Sequence, residues 1–223
     1  MTELSSEAAK EICRNAGAVV VGIASADDFS SAPEGFKPAD VLENCRSVII
    51  IGTPFSRESY FGTPSEYTDV RNATYKKMDA MAKEVAKLIK KEGYVTKTVG
   101  SLGGKWIGGF THGNISLKHA AEIAGLGVIG KNYLLINKDY GTRLWFTAVL
   151  TDVELTPDQK SNDDVCNKCN KCIEACPSGA LDNLPTFGKK VCANTCFKFV
   201  NKKWELHCFL CRKICPHSLG DEP

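Results

Sequence analysis

The sequence lacks several features that would place it in a common class of proteins. No apolar run in its 223 residues is long enough for a membrane-spanning helix. A formal net charge of +2 is too small to indicate a nucleic-acid-binding surface. The first residues have neither the basic nor the apolar part of a signal peptide. No P-loop and no H-E-x-x-H motif occurs, nor any recognisable Ser-His-Asp arrangement. We therefore expect a cytoplasmic protein that has no membrane partner and uses none of these chemistries.

Cysteine, by contrast, is abundant, with eleven residues in the chain. A C-x2-C-x2-C-x3-C-P run is formed by Cys166, Cys169, Cys172, Cys176 and Pro177. The same run, without its first cysteine, recurs at Cys208, Cys211, Cys215 and Pro216. This is the spacing of bacterial ferredoxins, in which thiolates hold iron–sulfur clusters. Free thiolates in this number indicate a reducing compartment, and we expect an anaerobic cell.

The spacing predicts which thiolates share a cluster, because the fourth cysteine of such a run ligates the other cluster. The first 4Fe–4S cluster is predicted to be held by Cys166, Cys169, Cys172 and Cys215. The second is predicted to be held by Cys176, Cys208, Cys211 and one further thiolate, which is either Cys192 or Cys196. Zinc is the alternative metal, but zinc sites do not need the C-x3-C-P arm. Cys13 and Cys45 lie alone in apolar surroundings and are interpreted as core thiols.

Helical and strand patterns are mixed along the first part of the chain without the strict alternation that builds parallel sheets. Helices are predicted over residues 5–16 and 66–92, the second ending at Gly93. The glycine-rich segment 101–110 is either a hairpin tip or a place where a ligand meets the backbone. We therefore predict an α+β domain over residues 1–155 and a ferredoxin-like domain over residues 156–223.

A G-x-G-x-x-G pattern at Gly125, Gly127 and Gly130 is not interpreted as a dinucleotide-binding fingerprint. That fingerprint needs a strand before it and a helix after it. In this sequence a predicted helix precedes the glycines and a predicted strand follows them.

The segment Leu117–Leu155 instead resembles the core of epoxyqueuosine reductases and corrinoid reductive dehalogenases. Its A-G-L-G-x-x-G-K-N turn, apolar strand, glycine-containing hairpin and acidic-tipped strand follow the order of those families, and the similarity extends from about residue 45 to the end. The resemblance implies a nitroreductase-like α/β sandwich domain followed by a bacterial-ferredoxin-like domain with two 4Fe–4S clusters. It also implies a base-off cobalamin, and it favours Cys192 as the eighth ligand because Cys192 follows the basic pair Lys189-Lys190.

The resemblance further implies residues that contact the cobalamin. Small residues at Gly125, Gly127 and Gly130 would let the backbone approach the corrin ring, and Leu135 and Phe146 would line it. Lys131 and Asn132 would donate hydrogen bonds to its amide and phosphate tail. The alternative is that the turn and strands simply pack a sheet. A D-x-H-x-x-G motif does not occur, so no histidine ligand to cobalt is expected.

The sequence departs from the family at the proton donor. Epoxyqueuosine reductases carry an aspartate before the A-G-L-G turn, and Thr111 occupies the corresponding position here. A threonine hydroxyl is too weak an acid for this role, which makes epoxyqueuosine reductase activity doubtful. His112 is a weak candidate proton donor, since histidine titrates in the right range. The twin-arginine signal of many dehalogenases does not occur either.

Three functions remain open after this comparison. The first is a cobalamin-dependent reductase of a small-molecule substrate, and the second is an electron carrier or reactivase for another corrinoid protein. The third is a corrinoid storage protein with structural clusters. The first two need an external electron donor such as ferredoxin or flavodoxin. Lysines of the predicted helix 66–92 form a solvated face over an apolar stripe, so tRNA is not an expected partner.

Overall fold

The computed structural model describes residues 3–107, 110–166, 168–183 and 187–221, apart from the side chains of residues 105, 106, 110 and 111. Contacts divide the chain into two compact units, and each consists of three segments. The first unit comprises Met1–Pro54, Thr74–Gly127 and Trp145–Ser161. The second comprises Phe55–Ala73, Val128–Leu144 and Asn162–Pro223. The predicted domain boundary between residues 155 and 156 stays a prediction. The contact-based division differs from it in placing two earlier segments in the second unit.

The described helices and strands form a mixed α/β architecture, as the sequence predicts. The helices are α1 (Ser6–Asn15), α2 (Pro64–Lys91), α3 (Leu117–Ile123), α4 (Lys171–Glu174), α5 (Lys189–Cys196) and α6 (Leu210–Lys213). The strands are β1 (Val20–Ser25), β2 (Ser47–Pro54), β3 (Thr96–Val99), β4 (Lys105–Ile107), β5 (Phe110–His112), β6 (Val128–Ile129), β7 (Leu135–Ile136), β8 (Leu144–Thr151), β9 (Phe197–Val200) and β10 (Lys203–Leu206).

A four-stranded sheet in the order β1-β2-β8-β3 organises the first unit. Strands β1 and β2 pair antiparallel with Val20 opposite Gly52, and β3 pairs antiparallel with β8. Side chains alternate between the faces of a sheet. Ile23, Ile49 and Ile51 therefore share one face, where they pack in a buried cluster with residues of α1 and α2. Each fully buried isoleucine contributes about 1.5–3 kcal/mol, so this layer accounts for much of the unit's stability.

The opposite face of the sheet is approached by the end of α3. A Cβ added at Gly22 of β1 would lie 2.6 Å from the Ala124 backbone oxygen. Ala120 and Ala121 of α3 are fully buried, and small residues on both elements permit the close approach. The helix after β5 thus ends against the sheet directly before the predicted glycine turn.

Local signals place the helix ends where the sequence predicts them. The Ser5 hydroxyl accepts a hydrogen bond from the Ala8 backbone N–H at 3.2 Å and caps α1. Gly93 follows α2 with a φ of +97°, a conformation that glycine adopts without steric cost. The glycine-rich segment forms the β4–β5 hairpin, which supports the hairpin interpretation, although its residues 108 and 109 lie outside the described residues.

The second unit contains two short ribbons and the cysteine loops. Strands β6 and β7 pair antiparallel, as do β9 and β10. The sequence did not predict β9 and β10. Across the described residues, no helix is both long enough and apolar enough to cross a membrane.

Candidate iron–sulfur centres

Four cysteines of the second unit line one pocket. They are Cys166, Cys169, Cys172 and Cys215, the four residues that the spacing assigns to the first cluster. Ile136, Val165 and Pro216 supply apolar surface to the same pocket, and Asn132, Lys171 and His217 also line it. Four soft sulfur donors in a largely apolar pocket fit the requirements of a 4Fe–4S cluster. Their role as iron ligands stays a prediction, but the fold brings the predicted set together.

The thiols in this pocket influence one another. Burial raises the pKa of Cys172, and the neighbouring Cys166 and Cys169 raise it further. Burial likewise raises the pKa of Cys215, with added contributions from Cys166, Cys172 and Cys169. Burial is the larger cause of both raised pKa values, and repulsion between the crowded thiolates adds to it.

A second group of thiols contains both candidates for the eighth ligand. The Sγ atoms of Cys192 and Cys196 lie 3.4 Å apart, one helical turn from each other on α5. The hydrogen bond with Cys192, burial and the nearby Cys208 all raise the pKa of Cys196. Burial raises the pKa of Cys211 to about 11, and Cys192 and Cys208 contribute to the shift. Cys196 therefore lies near Cys208, and Cys192 lies near Cys211, so each candidate is close to one predicted ligand of the second cluster.

Cys176, the remaining predicted ligand of the second cluster, has different described contacts. Its Sγ lies 3.4 Å from the Ser178 hydroxyl oxygen. Burial alone would raise the pKa of Cys176, but hydrogen bonds from Ser178 and from the backbone N–H groups of Ala180 and Leu181 lower it. The turn after Cys176 is thus built to stabilise a thiolate.

Within the described ranges, no three or more His, Cys, Asp or Glu side chains converge closely enough to hold a single metal ion.

The turn at residues 130–132 contacts both cysteine loops. The backbone N–H of Lys131 donates to Cys166 Sγ at 3.3 Å, and its Nζ donates to Asn170 Oδ1 at 2.8 Å. Asn132 is buried, and its Nδ2 donates to the Cys211 carbonyl oxygen at 3.3 Å. Hydrogen bonds to ligand sulfurs and to ligand loops orient a cluster and tune its potential. The described contacts of these two side chains therefore serve the cysteine loops, and their predicted role toward cobalamin stays a prediction.

The other residues predicted to contact cobalamin are distributed over both units. In the first unit, a Cβ at Gly125 would lie 2.1 Å from the Gln159 backbone oxygen, and Phe146 is buried. Gly127, also in that unit, has a φ of +145°. In the second unit, a Cβ at Gly130 would lie 2.6 Å from a methyl carbon of Ile136. Gly125 and Gly130 are thus explained by packing within their own unit.

Leu135 is buried in the second unit. Together with Gly125, Gly127, Gly130 and Phe146, it stays a predicted cofactor contact.

The candidate proton donor lies on the β4–β5 hairpin. The backbone of His112 pairs with Lys105, and its half-buried ring lies 6.1 Å from the ring of Phe36. The side chain of Thr111 lies outside the described residues. His112 therefore stays a weak candidate.

The segment before and at the start of α2 supports the second cysteine loop, a feature that sequence reasoning missed. Tyr67 is fully buried and stacks on Phe209, with ring centroids 4.1 Å apart and planes 10° from parallel. Phe209 lies between Cys208 and Cys211. The Thr68 hydroxyl accepts a hydrogen bond from the Leu206 backbone N–H at 2.8 Å. Because these contacts join residues more than 130 positions apart, no local pattern could have indicated them.

Two arginines complete this support. Arg212 Nη1 donates to the Thr142 carbonyl oxygen at 2.8 Å. Arg143 Nη1 donates to the Phe55 carbonyl oxygen at 2.7 Å, and its Nε donates to the Leu219 carbonyl oxygen at 3.2 Å. Each guanidinium spans separate segments of the second unit, using the forked donor geometry of arginine.

The comparison with protein families identifies the class of protein. Residues 160–182 match the family described as a 4Fe-4S binding domain. This match covers the run from Cys166 to Cys176 and confirms that the chain contains an iron–sulfur domain of ferredoxin type.

Comparison with individual proteins narrows the family. The chain is 32% identical over 120 residues to the epoxyqueuosine reductase of Listeria monocytogenes, covering 49% of this chain and 31% of the relative. It is 32% identical over 153 residues to the tetrachloroethene reductive dehalogenase of Desulfitobacterium hafniense, covering 67% of this chain and 24% of the relative. The predicted resemblance is confirmed: the chain is related to the epoxyqueuosine reductases and corrinoid reductive dehalogenases. It spans only about a quarter to two fifths of the length of the curated relatives it matches.

Solved structures show the same fold. The epoxyqueuosine reductase of Streptococcus thermophilus superimposes with a TM-score of 0.67 at 22% identity, covering 96% of this chain and 66% of that one. A catabolic reductive dehalogenase in complex with 3-bromo-4-hydroxybenzoic acid gives a TM-score of 0.73 at 21% identity, covering 97% of this chain and 32% of that one. At these identities the likeness concerns the fold alone.

Proposed function

We propose that the chain is an iron–sulfur reductase of the epoxyqueuosine reductase and reductive dehalogenase type. In this proposal it carries two 4Fe–4S clusters and passes single electrons to a base-off cobalamin bound by a nitroreductase-like domain. The pocket lined by Cys166, Cys169, Cys172 and Cys215 is the observation that carries the proposal. It gathers, from two distant runs, the four thiols that a two-cluster ferredoxin interleaves.

The residues of the chain supply the surroundings that such clusters need. When bound, the clusters supply one-electron transfer. Lys131 places a backbone N–H on the sulfur of Cys166, which stabilises added negative charge on that sulfur. Asn132 ties the same turn to the second cysteine loop through the Cys211 carbonyl oxygen. Stacking of Tyr67 on Phe209 covers that loop with apolar rings and limits the access of water.

The cobalamin part of the proposal rests on the family resemblance. A solved reductive dehalogenase with a TM-score of 0.61 over 78% of this chain is described as B12-dependent. The described contacts of Lys131 and Asn132 are with the cysteine loops, so they give no support to these side chains as donors to the cobalamin tail. The substrate is not assigned. Reduction of epoxyqueuosine itself is not proposed, because Thr111 stands where that family has its aspartate.

An anaerobic titration with hydroxocobalamin tests the proposed cofactor. We expect the absorption spectrum of the base-off form to appear on binding and to saturate near one cobalamin per chain. An unchanged spectrum at stoichiometric protein would remove the corrinoid from the proposal and leave the clusters in place. Turnover of a halogenated or epoxide substrate by the loaded protein separates a reductase from an electron carrier or a storage protein, which would bind cobalamin without turnover.

A further inference from the structure

The β9–β10 hairpin presents two aromatic side chains to solvent. Phe199 and Trp204 lie opposite each other in the antiparallel pair, with ring centroids 5.4 Å apart. Their exposed fractions are 61% and 63%. Two adjacent large aromatics at this exposure are costly in water and mark an interaction site more often than a solvated surface.

Residues at the base of this hairpin and beside its turn contact α2, whereas Phe199 and Trp204 stay exposed. Lys203 Nζ donates to Ser65 Oγ at 2.9 Å, and Leu206 N donates to Thr68 Oγ1 at 2.8 Å. The guanidinium of Arg71 lies 5.5 Å from the ring centroid of Phe197. Lys203 lies beside the turn, and Phe197 and Leu206 lie at the base, so these contacts anchor both ends of the hairpin to the first turns of α2. The aromatic pair is therefore presented on an ordered support, which lowers the entropy lost on docking.

The charge around the hairpin is strongly one-sided. Between Phe187 and Lys213 the sequence contains seven lysines or arginines and a single acidic residue, Glu205. Lys198 and Lys202 are exposed on the hairpin itself, Lys202 in its turn and Lys198 on the opposite face from the aromatic pair. Residues 162–183 around the first cysteine run contain four acidic and two basic residues, so the basic character is confined to the second run. A basic field around exposed aromatics attracts an acidic partner.

The hairpin also lies beside the predicted second cluster along the chain. Strand β9 begins directly after Cys196, and β10 ends two residues before Cys208. His207 N donates to the Cys196 carbonyl oxygen at 2.6 Å, which closes the two ends of the hairpin against each other. Electronic coupling decays steeply with distance, so a donor that docks here approaches the cluster it has to reduce.

We propose that Phe199 and Trp204 form the docking surface for an acidic, low-potential electron-transfer protein of the ferredoxin or flavodoxin class, and that Lys198 and Lys202 steer this protein toward the hairpin. This inference rests on the proposed function. One electron leaves the reduced iron–sulfur centre or flavin hydroquinone of the donor and reduces one 4Fe–4S cluster of the chain by one electron. No bond is made or broken. Interfaces of this kind are small and weak.

Anaerobic stopped-flow reduction of the full chain tests the proposal, with an acidic flavodoxin and an acidic two-cluster ferredoxin as separate donors. Trp204→Ala should lower the second-order rate constant of cluster reduction by about tenfold, because a central aromatic dominates such interfaces. Trp204→Phe should stay within about twofold of the parent, because it keeps a planar ring at the same place. The donor that reacts faster with the parent chain shows whether the partner is of the flavodoxin or of the ferredoxin class.

A double variant that neutralises two lysines separates electrostatic steering of the donor by the hairpin from a general effect of net charge. Lys198→Gln/Lys202→Gln should slow reduction roughly threefold to tenfold at low ionic strength, and the difference should disappear at high salt. The matched control Lys83→Gln/Lys87→Gln alters two exposed lysines of α2 and should leave the rate unchanged. Equal losses in both pairs would overturn the assignment of the surface.

Dithionite reduction and iron analysis distinguish a failure of the proposed docking surface from a failure of the proposed function. Every variant should hold the iron content of the parent and react with dithionite at the parent rate. Full donor rates in Trp204→Ala, with iron intact, would refute the docking surface alone. The docking surface would also be refuted if Trp204→Ala kept the donor rate and lost only binding of single-stranded RNA or only self-association. Absence of clusters from the parent chain would instead refute the proposed function.

Discussion

At the scale of single residues, the spacing of the cysteines predicted more than any other signal. Cys166 and Cys215 are 49 positions apart in the sequence, yet they line one pocket. The spacing could predict this because a cubane imposes its own geometry on the loops that hold it. It could not choose between Cys192 and Cys196, since both thiols lie one turn apart on the same face of α5.

Paired serine variants decide between these two thiols. We expect Cys192→Ser to lose one cluster, with the iron content falling by about four atoms per chain, whereas Cys196→Ser keeps both clusters. Anaerobic iron analysis with electron paramagnetic resonance of the reduced protein provides the measurement. If Cys196→Ser loses the cluster and Cys192→Ser keeps it, the eighth ligand is Cys196.

The contacts of Asn132 show that sequence spacing does not predict the hydrogen-bond partner of a side chain. Its position after the glycine turn suggested a donor to a cofactor tail, but its amide nitrogen hydrogen-bonds the Cys211 carbonyl oxygen. An asparagine donates equally well to either acceptor. The partner is decided by chain folding over 79 positions, and no local pattern carries that information.

At the scale of elements, the glycines fall into those that need only a backbone conformation and those that also need space. Gly93 and Gly125 both have positive φ values, of +97° and +73°. A Cβ at Gly93 would meet nothing within 4 Å, whereas one at Gly125 would lie 2.1 Å from the Gln159 oxygen. The sequence predicted Gly93 from its place after a helix, but the contact at Gly125 comes from a distant segment.

Alanine substitutions at these two glycines form a matched pair. Gly93→Ala should lower the free energy of unfolding by about 1–2 kcal/mol, the cost of the left-handed conformation. Gly125→Ala should lower it by about 2–5 kcal/mol, because overpacking against a backbone oxygen adds about 1–3 kcal/mol. Chemical denaturation followed by circular dichroism measures both values. Equal losses of unfolding free energy in the two variants would show that the close approach of the Gln159 oxygen does not require a glycine at position 125.

The β9–β10 hairpin was missed for a physical reason. Its turn residues Asn201 and Lys202 both have positive φ values, of 49° and 63°, without a glycine to announce the turn. Each strand has only four residues, and lysines interrupt the aromatics. Two-residue turns of this kind are recognised from sequence mainly by Asn-Gly or Asp-Gly pairs. The element that exposes Phe199 and Trp204 was therefore absent from the predicted fold.

At the scale of the whole molecule, the helix and strand patterns predicted a mixed α/β chain and the cysteine spacing predicted a ferredoxin-type domain, and both features are confirmed. The interleaving of the two units was not foreseeable. Segments Phe55–Ala73 and Val128–Leu144 belong to the unit that contains the cysteine runs. They join it through contacts such as the Tyr67–Phe209 stack and the Arg212–Thr142 hydrogen bond.

Iron and sulfide analysis of anaerobically purified full-length chain, combined with Mössbauer spectroscopy, tests the central claim most directly. Two cubanes predict about eight iron and eight sulfide per chain, with all iron in the spectral parameters of 4Fe–4S clusters. Four iron atoms per chain, or stoichiometric zinc in place of iron, would contradict the account.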